Sequence, residues 1–206
     1  MAHIAKYKAS AVGKLCAHYN RWQGIDNPNV SRENIDKSRT HLNYTLGVYE
    51  KDGKRFIGKV RGSASWATVK GRKDAVRLVE GIVTASPEFF EGASAEEVRD
   101  FFEDALGFCR EEFGESNLVH FTVHMDEETP HAHFGFVPLK EGKLSWKGFF
   151  PDKAALGAMQ DRFYGRVGAL YGLSRGEKRL EGQPARRHKS VAEYKAESRR
   201  VQAELD

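Results

Sequence analysis

The sequence predicts an α+β protein, and three stretches of it carry this prediction. Residues 117–125 and 131–137 alternate polar and apolar side chains and are separated by a five-residue turn, which predicts an antiparallel β-hairpin. Residues 94–113 have apolar residues at helical spacing behind SAEE, a capping-box sequence. Residues 76–86 form a short apolar run rich in β-branched residues, which favours a buried strand.

Shorter patterns predict the other elements. Residues 3–8 alternate weakly, as a first strand does, and residues 10–23 have helical spacing. Residues 40–49 are predicted to be a strand, and residues 151–171 a helix that ends near Gly172.

The composition favours one cytoplasmic domain. The chain has 206 residues, 40% of them apolar, which is enough for a single packed core. It shows neither a long apolar run nor a leader, and Cys16 and Cys109 lack metal or redox spacing, so we expect a cytoplasmic protein with reduced core thiols. We assign residues 1–180 to this domain. Residues 181–206 have a polar helical pattern and are interpreted as the start of a longer, truncated C-terminal extension.

The amino-terminal part of the chain is basic. Residues 1–80 contain 16 Lys and Arg against 7 Asp and Glu, a net charge of +9. Such an excess favours a polyanionic partner such as nucleic acid. Solvated lysines alone also produce it, so the charge does not establish that partner.

The predicted hairpin brings three histidines to one face. Successive strand residues point to opposite faces, so His124 on one strand joins His131 and His133 on the other once the apolar faces meet one core. Three imidazoles with open coordination positions favour a transition metal over magnesium. Surface histidines on a solvated sheet are the alternative. The apolar face is predicted to carry Val119, Phe121, Val123, Met125, Ala132, Phe134 and Phe136.

Two neighbours of these histidines add to the prediction. Gly135 lies within a strand, which indicates close approach by a ligand or another backbone. His120 shares the polar face at about 7 Å from His124 by strand rise. We interpret His120 as a residue that supports the ligands or faces nucleic acid.

The first predicted helix carries a second candidate cluster. Tyr19 falls on its apolar stripe, whereas His18 and Arg21 lie together on nearly the opposite side. An exposed helix face is the ordinary explanation of such a pair. Phosphoryl transfer also needs this pair, because a neutral imidazole attacks or accepts a proton while a fixed cation neutralises a phosphate oxygen.

Four motifs together resemble the signature blocks of the MobV-type (Pre/Mob) plasmid mobilisation relaxases. They are HYNR at 18–21, NIDKSRTHLNY at 34–44, RKDAV at 72–76 and HMDEETPHAHFGFVP at 124–138. The resemblance spans nearly the whole chain. It implies an enzyme of the HUH superfamily, with a central antiparallel sheet backed by helices and the histidine hairpin at the sheet centre. Such enzymes nick one strand at a plasmid transfer origin, stay attached to the 5′ phosphate and later rejoin the ends.

The resemblance also implies roles for particular residues. His18 corresponds to the nucleophile, and His124, His131 and His133 correspond to the metal ligands. Glu127 is implied to be a base or an additional ligand. Manganese is the expected ion, with magnesium or zinc as alternatives.

Other assignments remain open at this point. Arg21 is expected to share the charge that develops on the phosphate, and Asp36 is an alternative partner that would orient His18. Tyr19 and Tyr44 are alternative nucleophiles, although Tyr19 lies on the core stripe and Tyr44 is expected to share a strand face with Leu42.

The expected partner is plasmid DNA at the transfer origin, single-stranded or in a hairpin near the nick. Basic and polar contacts to the DNA backbone would set affinity rather than sequence choice. Trp22, Trp66 and Trp146 are candidates for stacking on bases. By the same resemblance, the missing C-terminal region would carry either dimerisation of the full-length protein or its association with a membrane. The predicted DNA-binding residues are Arg39, Tyr44, Arg72, Lys143, Lys147, His188 and Lys189.

Two other functions account for part of these patterns. A metal-dependent DNA phosphodiesterase with a water nucleophile explains the histidine hairpin but leaves His18 and Arg21 without a role. A non-catalytic protein that binds the origin or a promoter would hold a structural metal. Structural metals have their fourth position closed by protein, which three histidines do not do.

Overall fold

The computed structural model describes residues 2–8, 11–19, 21, 35–47 and 75–176. The described residues up to Arg175 form one compact unit, and the predicted boundary after residue 180 stays a prediction. Several sequence-predicted features lie outside the described residues, namely the helical tail at 181–206, Trp22, Trp66, Arg72, His188 and Lys189.

Within the described residues, five strands form one antiparallel sheet. Its strand order is β1-β3-β5-β4-β2, so the histidine hairpin β4-β5 lies at the centre and β5 is the middle strand. The predicted α+β architecture is confirmed, and so is the central position of the hairpin. The strands are β1 (Ala2–Tyr7), β2 (Tyr44–Thr45), β3 (Leu78–Thr84), β4 (Leu118–His124) and β5 (His131–Phe136).

Helices precede and follow the sheet strands in the chain. None of those described is long and apolar enough to cross a membrane. The helices are α1 (Val12–Tyr19), α2 (Pro87–Gly92), α3 (Ala95–Phe113), α4 (Trp146–Phe149) and α5 (Lys153–Arg166). Short 3-10 turns cover Thr40–Leu42, Glu115–Asn117 and Gly168–Tyr171, and a small hairpin joins β6 (Leu139–Lys140) to β7 (Lys143–Leu144). The sequence patterns did not indicate α2, α4 or the β6-β7 hairpin.

Helix α3 packs its apolar face into the same hydrophobic core as the sheet. Its predicted capping box is present, because Glu97 N–H donates to the Ser94 hydroxyl and Ser94 N–H donates to the Glu97 carboxylate. Phe113 stacks on Phe136 of β5 with ring centroids 4.1 Å apart, and Cys109 is a buried thiol as predicted. Each such buried apolar side chain contributes about 1.5–3 kcal/mol.

A β-bulge corrects one predicted face of strand β4. The register with β5 shifts between Leu118 and His120, and it is Leu118, not Val119, that packs with Phe121 on the face covered by α3. Val119 packs with Leu15 on the opposite side. The prediction for Val119 is therefore wrong, because an extra residue in a strand reverses the alternation on one side of it.

Helix α1 is shorter than predicted. It ends at Tyr19, and Arg21 has a left-handed backbone conformation with φ of 52°. The prediction that His18 and Arg21 project from one helix is therefore wrong, although their side chains remain neighbours. Arg21 departs from helical geometry where its guanidinium binds Asp126 in the hairpin turn, a contact that helical periodicity does not reveal.

Residues 40–47 contain less strand than predicted. Thr40–Leu42 is a 3-10 turn, and only Tyr44–Thr45 pairs with β4. Leu42 is 48% exposed whereas Tyr44 packs against the core, so their predicted common face is wrong. Between the turn and the strand, Asn43 Oδ1 accepts a hydrogen bond from the backbone N–H of Met125 at 2.7 Å.

Gly135 shows the predicted close approach, but the approaching group is a side chain. A Cβ on Gly135 would lie 2.5 Å from Nε2 of His120. His120 is 5% exposed and stacks on Tyr19 with ring centroids 4.2 Å apart. His120 is thus a packing residue beneath α1, and the alternative that it faces nucleic acid is wrong.

Candidate active site

The three histidines of the hairpin converge on one side of the sheet. His124 ends β4 and pairs with His131 at the start of β5, and His133 follows two residues later on the same face. The three ring centroids lie 5.0–5.3 Å apart pairwise. Strand alternation therefore does bring these side chains together as the sequence predicts.

Each of these rings binds a protein oxygen through one nitrogen. His133 Nδ1 lies 2.9 Å from Glu80 Oε1, His131 Nδ1 lies 2.9 Å from the Thr129 carbonyl and His124 Nε2 lies 3.2 Å from the Tyr19 carbonyl. Because these oxygens accept, each of these nitrogens carries the proton and donates it. The other nitrogen of each ring keeps its lone pair for a further ligand, the arrangement typical of metal-binding histidines.

The residues present fit a divalent metal. His124 Nδ1 is buried and has no hydrogen-bond partner among the described residues. Its nearest acidic neighbour is Glu127 Oε1, 3.8 Å from His124 Nδ1 and 3.8 Å from His131 Nε2. Ligand atoms within 4.8 Å of one another form two sets that share His124: one with His18 and His133, the other with Glu127 and His131.

His18 joins this cluster from α1. Its Nε2 lies 3.3 Å from Nε2 of His133, and its ring meets that of His124 edge-on with centroids 5.3 Å apart. Burial, and next the charge of Arg21, lower the pKa of His18 to about 4. The imidazole is therefore neutral at neutral pH. Because the ring packs against His124 and His133, the alternative that His18 lies on an ordinary exposed helix face is wrong.

Arg21 is held by two carboxylates of the hairpin turn. Its guanidinium donates to Asp126 Oδ1 at 2.5 Å and Oδ2 at 3.1 Å, and to Glu127 Oε1 at 2.7 Å. Nη1 of Arg21 also lies 3.5 Å from His18 Nδ1. Burial raises the pKa of Asp126, but hydrogen bonds from Arg21 and other groups outweigh burial and lower the pKa to about 2.

Residues 35–47 support the turn from outside. Thr40 Oγ1 donates to Asp126 Oδ2 at 3.0 Å, and Arg39 Nη2 donates to the carbonyl oxygen of Glu127 at 2.6 Å. Asp36 N–H donates to the Asp126 carbonyl at 2.8 Å, while its carboxylate accepts from the backbone and hydroxyl of Ser38. Asp36 thus holds the loop that braces the turn.

The two tyrosines are placed differently from the histidines. Tyr19 is 4% exposed and packs under the cluster, as its stripe position predicts. Tyr44 pairs with Val123 across β2 and β4, so both side chains are on the face of the sheet that packs against α3. Tyr44 therefore lies on the face away from the histidine cluster. Burial raises the pKa of Tyr44 to about 12.

The other described residues that are predicted to contact DNA belong to segments of the chain outside the histidine hairpin. Lys143 on β7 and Lys147 in α4 are exposed, and Arg39 is 44% exposed beside the turn. Trp146 stacks obliquely on Phe150 with centroids 4.7 Å apart and has the Lys6 ammonium over its ring, so it is partly core.

Glu80 is a site residue that sequence reasoning missed. It lies on β3 opposite Gly135, is 6% exposed and accepts from His133. Burial raises the pKa of Glu80 to about 7, partly offset by the Tyr19 hydroxyl. The available signal was a single acidic residue in the run RLVEGIVT, where a buried charge requires a partner.

Replacing Glu80 with glutamine is expected to lower the metal affinity of the site by about 10–100-fold, as changes to hydrogen-bond partners of metal-binding histidines do. Glutamine still accepts a hydrogen bond from His133. It lacks the negative charge of a carboxylate, which makes the imidazole a stronger electron-pair donor to the metal. Isothermal titration with manganese checks this, with Glu103→Gln on the exposed side of α3 as the matched control. An unchanged affinity in Glu80→Gln would show that Glu80 is not coupled to the ligand.

The sheet and the three histidines of its central hairpin define an α+β protein with a candidate metal centre, beside which lies the neutral imidazole of His18 from α1. The chain belongs to the plasmid recombination enzyme family, Mob_Pre, whose profile matches residues 1–196. The resemblance drawn from the sequence motifs is therefore confirmed.

Individual relatives agree with this family. A plasmid recombination enzyme type 3 of Staphylococcus aureus is 38% identical over 173 residues, which cover 82% of this chain and 41% of the relative. A plasmid recombination enzyme of Streptococcus agalactiae is 37% identical over 204 residues, covering 95% of this chain and 38% of the relative. The chain thus spans less than half the length of these two relatives.

Solved structures match the fold. The relaxase domain of MobM, in a Mn-bound crystal structure with plasmid pMV158 oriT DNA, has a TM-score of 0.76 and 35% identity over 95% of this chain and 98% of that chain. A second Mn-bound structure of that domain, with oriT DNA carrying a 3′ thiophosphate, has a TM-score of 0.77 and 34% identity over 96% and 97% of the two chains. The predicted sheet backed by helices is therefore the fold of that relaxase domain.

Proposed function

We propose that this chain is the DNA nicking and rejoining part of a plasmid mobilisation relaxase of the HUH superfamily, acting at a transfer origin through a covalent 5′-phosphoryl-histidine at His18. The observation that carries the proposal is the 3.3 Å approach of the neutral His18 imidazole to His133 within a cluster of metal-type ligands. The relaxase domain of MobM, similar over nearly the whole chain, is bound to oriT DNA and manganese, which supports the choice of substrate and ion.

His124, His131 and His133 would hold a divalent metal, with manganese preferred and magnesium or zinc as alternatives. Such an ion supplies Lewis acidity at the non-bridging oxygens of the scissile phosphate. The protein contributes the orientation of the ligands, because Glu80, the Thr129 carbonyl and the Tyr19 carbonyl each fix one ring.

In the proposed step, a lone pair of the His18 imidazole forms a bond to phosphorus and the bond from phosphorus to the 3′ oxygen breaks. The 5′ side of the nick stays on His18 as a phosphoramidate, and the 3′ oxygen leaves as a hydroxyl. The imidazole loses its other N–H proton, so charge is conserved when that proton reaches the 3′ oxygen. The adduct is reactive enough for the reverse step to rejoin the strand.

Glu127 is the proposed carrier of that proton. Its carboxylate binds the same guanidinium that contacts His18 Nδ1, and its charge acts on the His18 ring. Arg21 is tied to Asp126 and Glu127, which supports a role in holding Glu127 and His18 together as well as sharing charge at the phosphate.

DNA beyond the scissile phosphate would contact basic residues around the site. Arg39 is near the turn and partly exposed, and Lys143 and Lys147 are exposed. Together with Arg72, His188 and Lys189, they are proposed to neutralise backbone phosphates, which makes binding dependent on salt. Tyr44 is the least supported of the proposed contacts, since it lies on the opposite sheet face.

A covalent-capture assay tests the proposal. The protein is incubated with manganese and a labelled oligonucleotide of the transfer origin beside its own gene, and the products are separated under denaturing conditions. We expect an adduct on the 5′ side of the nick that is stable to base and labile to acid. Cleavage without an adduct would instead establish the phosphodiesterase with a water nucleophile, and binding without cleavage would establish a non-catalytic binding protein.

A further inference from the structure

Two overlapping ligand sets in the histidine cluster suggest a second way of binding metal. One set joins His18 to His124 and His133, and the other joins His124 to Glu127 and His131. We propose that, without DNA, His18 is itself a ligand of zinc-type ions in the first set, so that these ions withdraw the nucleophile from reaction. Zinc binding through His18 stands without the proposed function, and only its inhibitory consequence rests on that function.

The spacing of the two closest nitrogens fits a shared tetrahedral ion. Nε2 of His18 and Nε2 of His133 are 3.3 Å apart. Two nitrogens bound at zinc distances with a tetrahedral angle are separated by about 3.3 Å. The two side chains, which are joined by a hydrogen bond between these nitrogens, therefore already lie at the separation that a tetrahedral ion requires, so the rearrangement on binding is small.

The lone pairs needed for this set are also available. His133 donates through Nδ1 to Glu80, which leaves Nε2 to bind, and His124 has a buried Nδ1 without a hydrogen-bond partner among the described residues. His18 presents Nε2 when its proton is on Nδ1. Two contacts favour the other tautomer: Arg21 donates to His18 Nδ1 at 3.5 Å, and His18 Nε2 donates to His133 Nε2 at 3.3 Å. The first contact is long, and an ion bound between the two Nε2 atoms would replace the second.

The composition of the two sets predicts which ions use which set. An ion held by His18 with His124 and His133 has only imidazole ligands, which favours zinc, copper and nickel. The Glu127 carboxylate beside His124 and His131 makes the hairpin site, with His133, more suitable for manganese. His18 is therefore expected to contribute to zinc affinity and not to manganese affinity. A lone pair that binds zinc does not attack phosphorus, so zinc would hold the enzyme in an inactive state.

Metal titrations of the DNA-free protein test this inference directly. Zinc and manganese affinities are measured by calorimetry, with a chelator as competitor for zinc, on the wild type, His18→Ala and His18→Gln. His41→Ala is the matched control, because it removes an exposed histidine that binds the Ser38 carbonyl outside the cluster. Thermal melting of each variant without metal verifies that it is folded.

We expect zinc affinity to fall at least about tenfold in both His18 variants, since even supporting partners of a ligand contribute this much. Manganese affinity should stay within about twofold, and His41→Ala should change neither. Unchanged zinc affinity would overturn the inference, and so would equal losses for both ions. These outcomes are independent of the capture assay with manganese, so failure of the inference is distinguishable from failure of the proposed function.

Discussion

Replacing His18 with alanine is expected to abolish the covalent protein–DNA adduct, with a loss of at least about 10⁴-fold in its rate of formation, as removal of an enzymatic nucleophile does. The physical reason is that the variant has no lone pair at the position 3.3 Å from His133 where the wild-type imidazole lies. The rate is measured by adduct formation with manganese and labelled origin DNA. Binding of the same DNA should change little, because charge contacts elsewhere determine affinity.

Two tyrosine variants are the matched controls for this experiment. Tyr19→Phe removes a hydroxyl that is buried beneath the cluster, and Tyr44→Phe removes one on the opposite face of the sheet. Both should retain the adduct, although Tyr19→Phe should slow its formation because Tyr19 contacts His133 and acts on Glu80. An acid-stable adduct that disappears in either tyrosine variant would identify a tyrosine nucleophile and remove His18 from that role.

Asp126→Asn is expected to lower the free energy of unfolding by about 3 kcal/mol, as breaking a buried ion pair does. The Asp126 side chain is fully buried and that of Arg21 is 11% exposed, so the variant leaves an arginine largely buried without its principal counterion. Urea unfolding measures the loss. Glu103→Gln, which breaks the exposed pair with Arg99, is the control and should cost no more than about 0.5 kcal/mol.

The pH dependence of stability provides a second measurement for the same residue. The pKa of Asp126 is about 2 in the folded protein, below its ordinary value of 3.8. A lowered folded pKa stabilises the protein above the unfolded pKa, and this contribution, about 2 kcal/mol, is lost as pH falls from about 4 to about 2. The wild type should therefore lose this stability on acidification and Asp126→Asn should not. Equal acid slopes in the two proteins would show that Asp126 is not the charged partner of Arg21.

Local patterns were sufficient for the elements that lie next to one another in the chain. The capping box and apolar spacing of α3 depend on residues within or next to one helix, and the β4-β5 hairpin depends on two strands joined by six residues. Because strand alternation has a period of two, the common face of His124, His131 and His133 followed from the sequence alone. Recognition of the family likewise required only the order of four motifs.

Contacts between distant parts of the chain explain what local patterns missed. Arg21 leaves helical geometry beside Asp126, 105 positions later, and residues 40–43 bend where Asn43 accepts from Met125. The β-bulge at Val119 depends on the partner strand, which no alternation rule specifies. The sequence spacing therefore correctly identified Arg21 as a neighbour of His18, but it wrongly placed both residues on one helix.

The sequence by itself determined the α+β class, the histidine face of the hairpin and the family, because these depend on periodicity and on motifs read along the chain. Only the tertiary structure decided how the site is assembled. It brings Glu80 from β3 to His133, tilts His18 into the cluster and buries Asp126 against Arg21. A buried charge or imidazole acquires its protonation state from groups that pack against it across the fold, and these neighbours are not encoded in any local spacing.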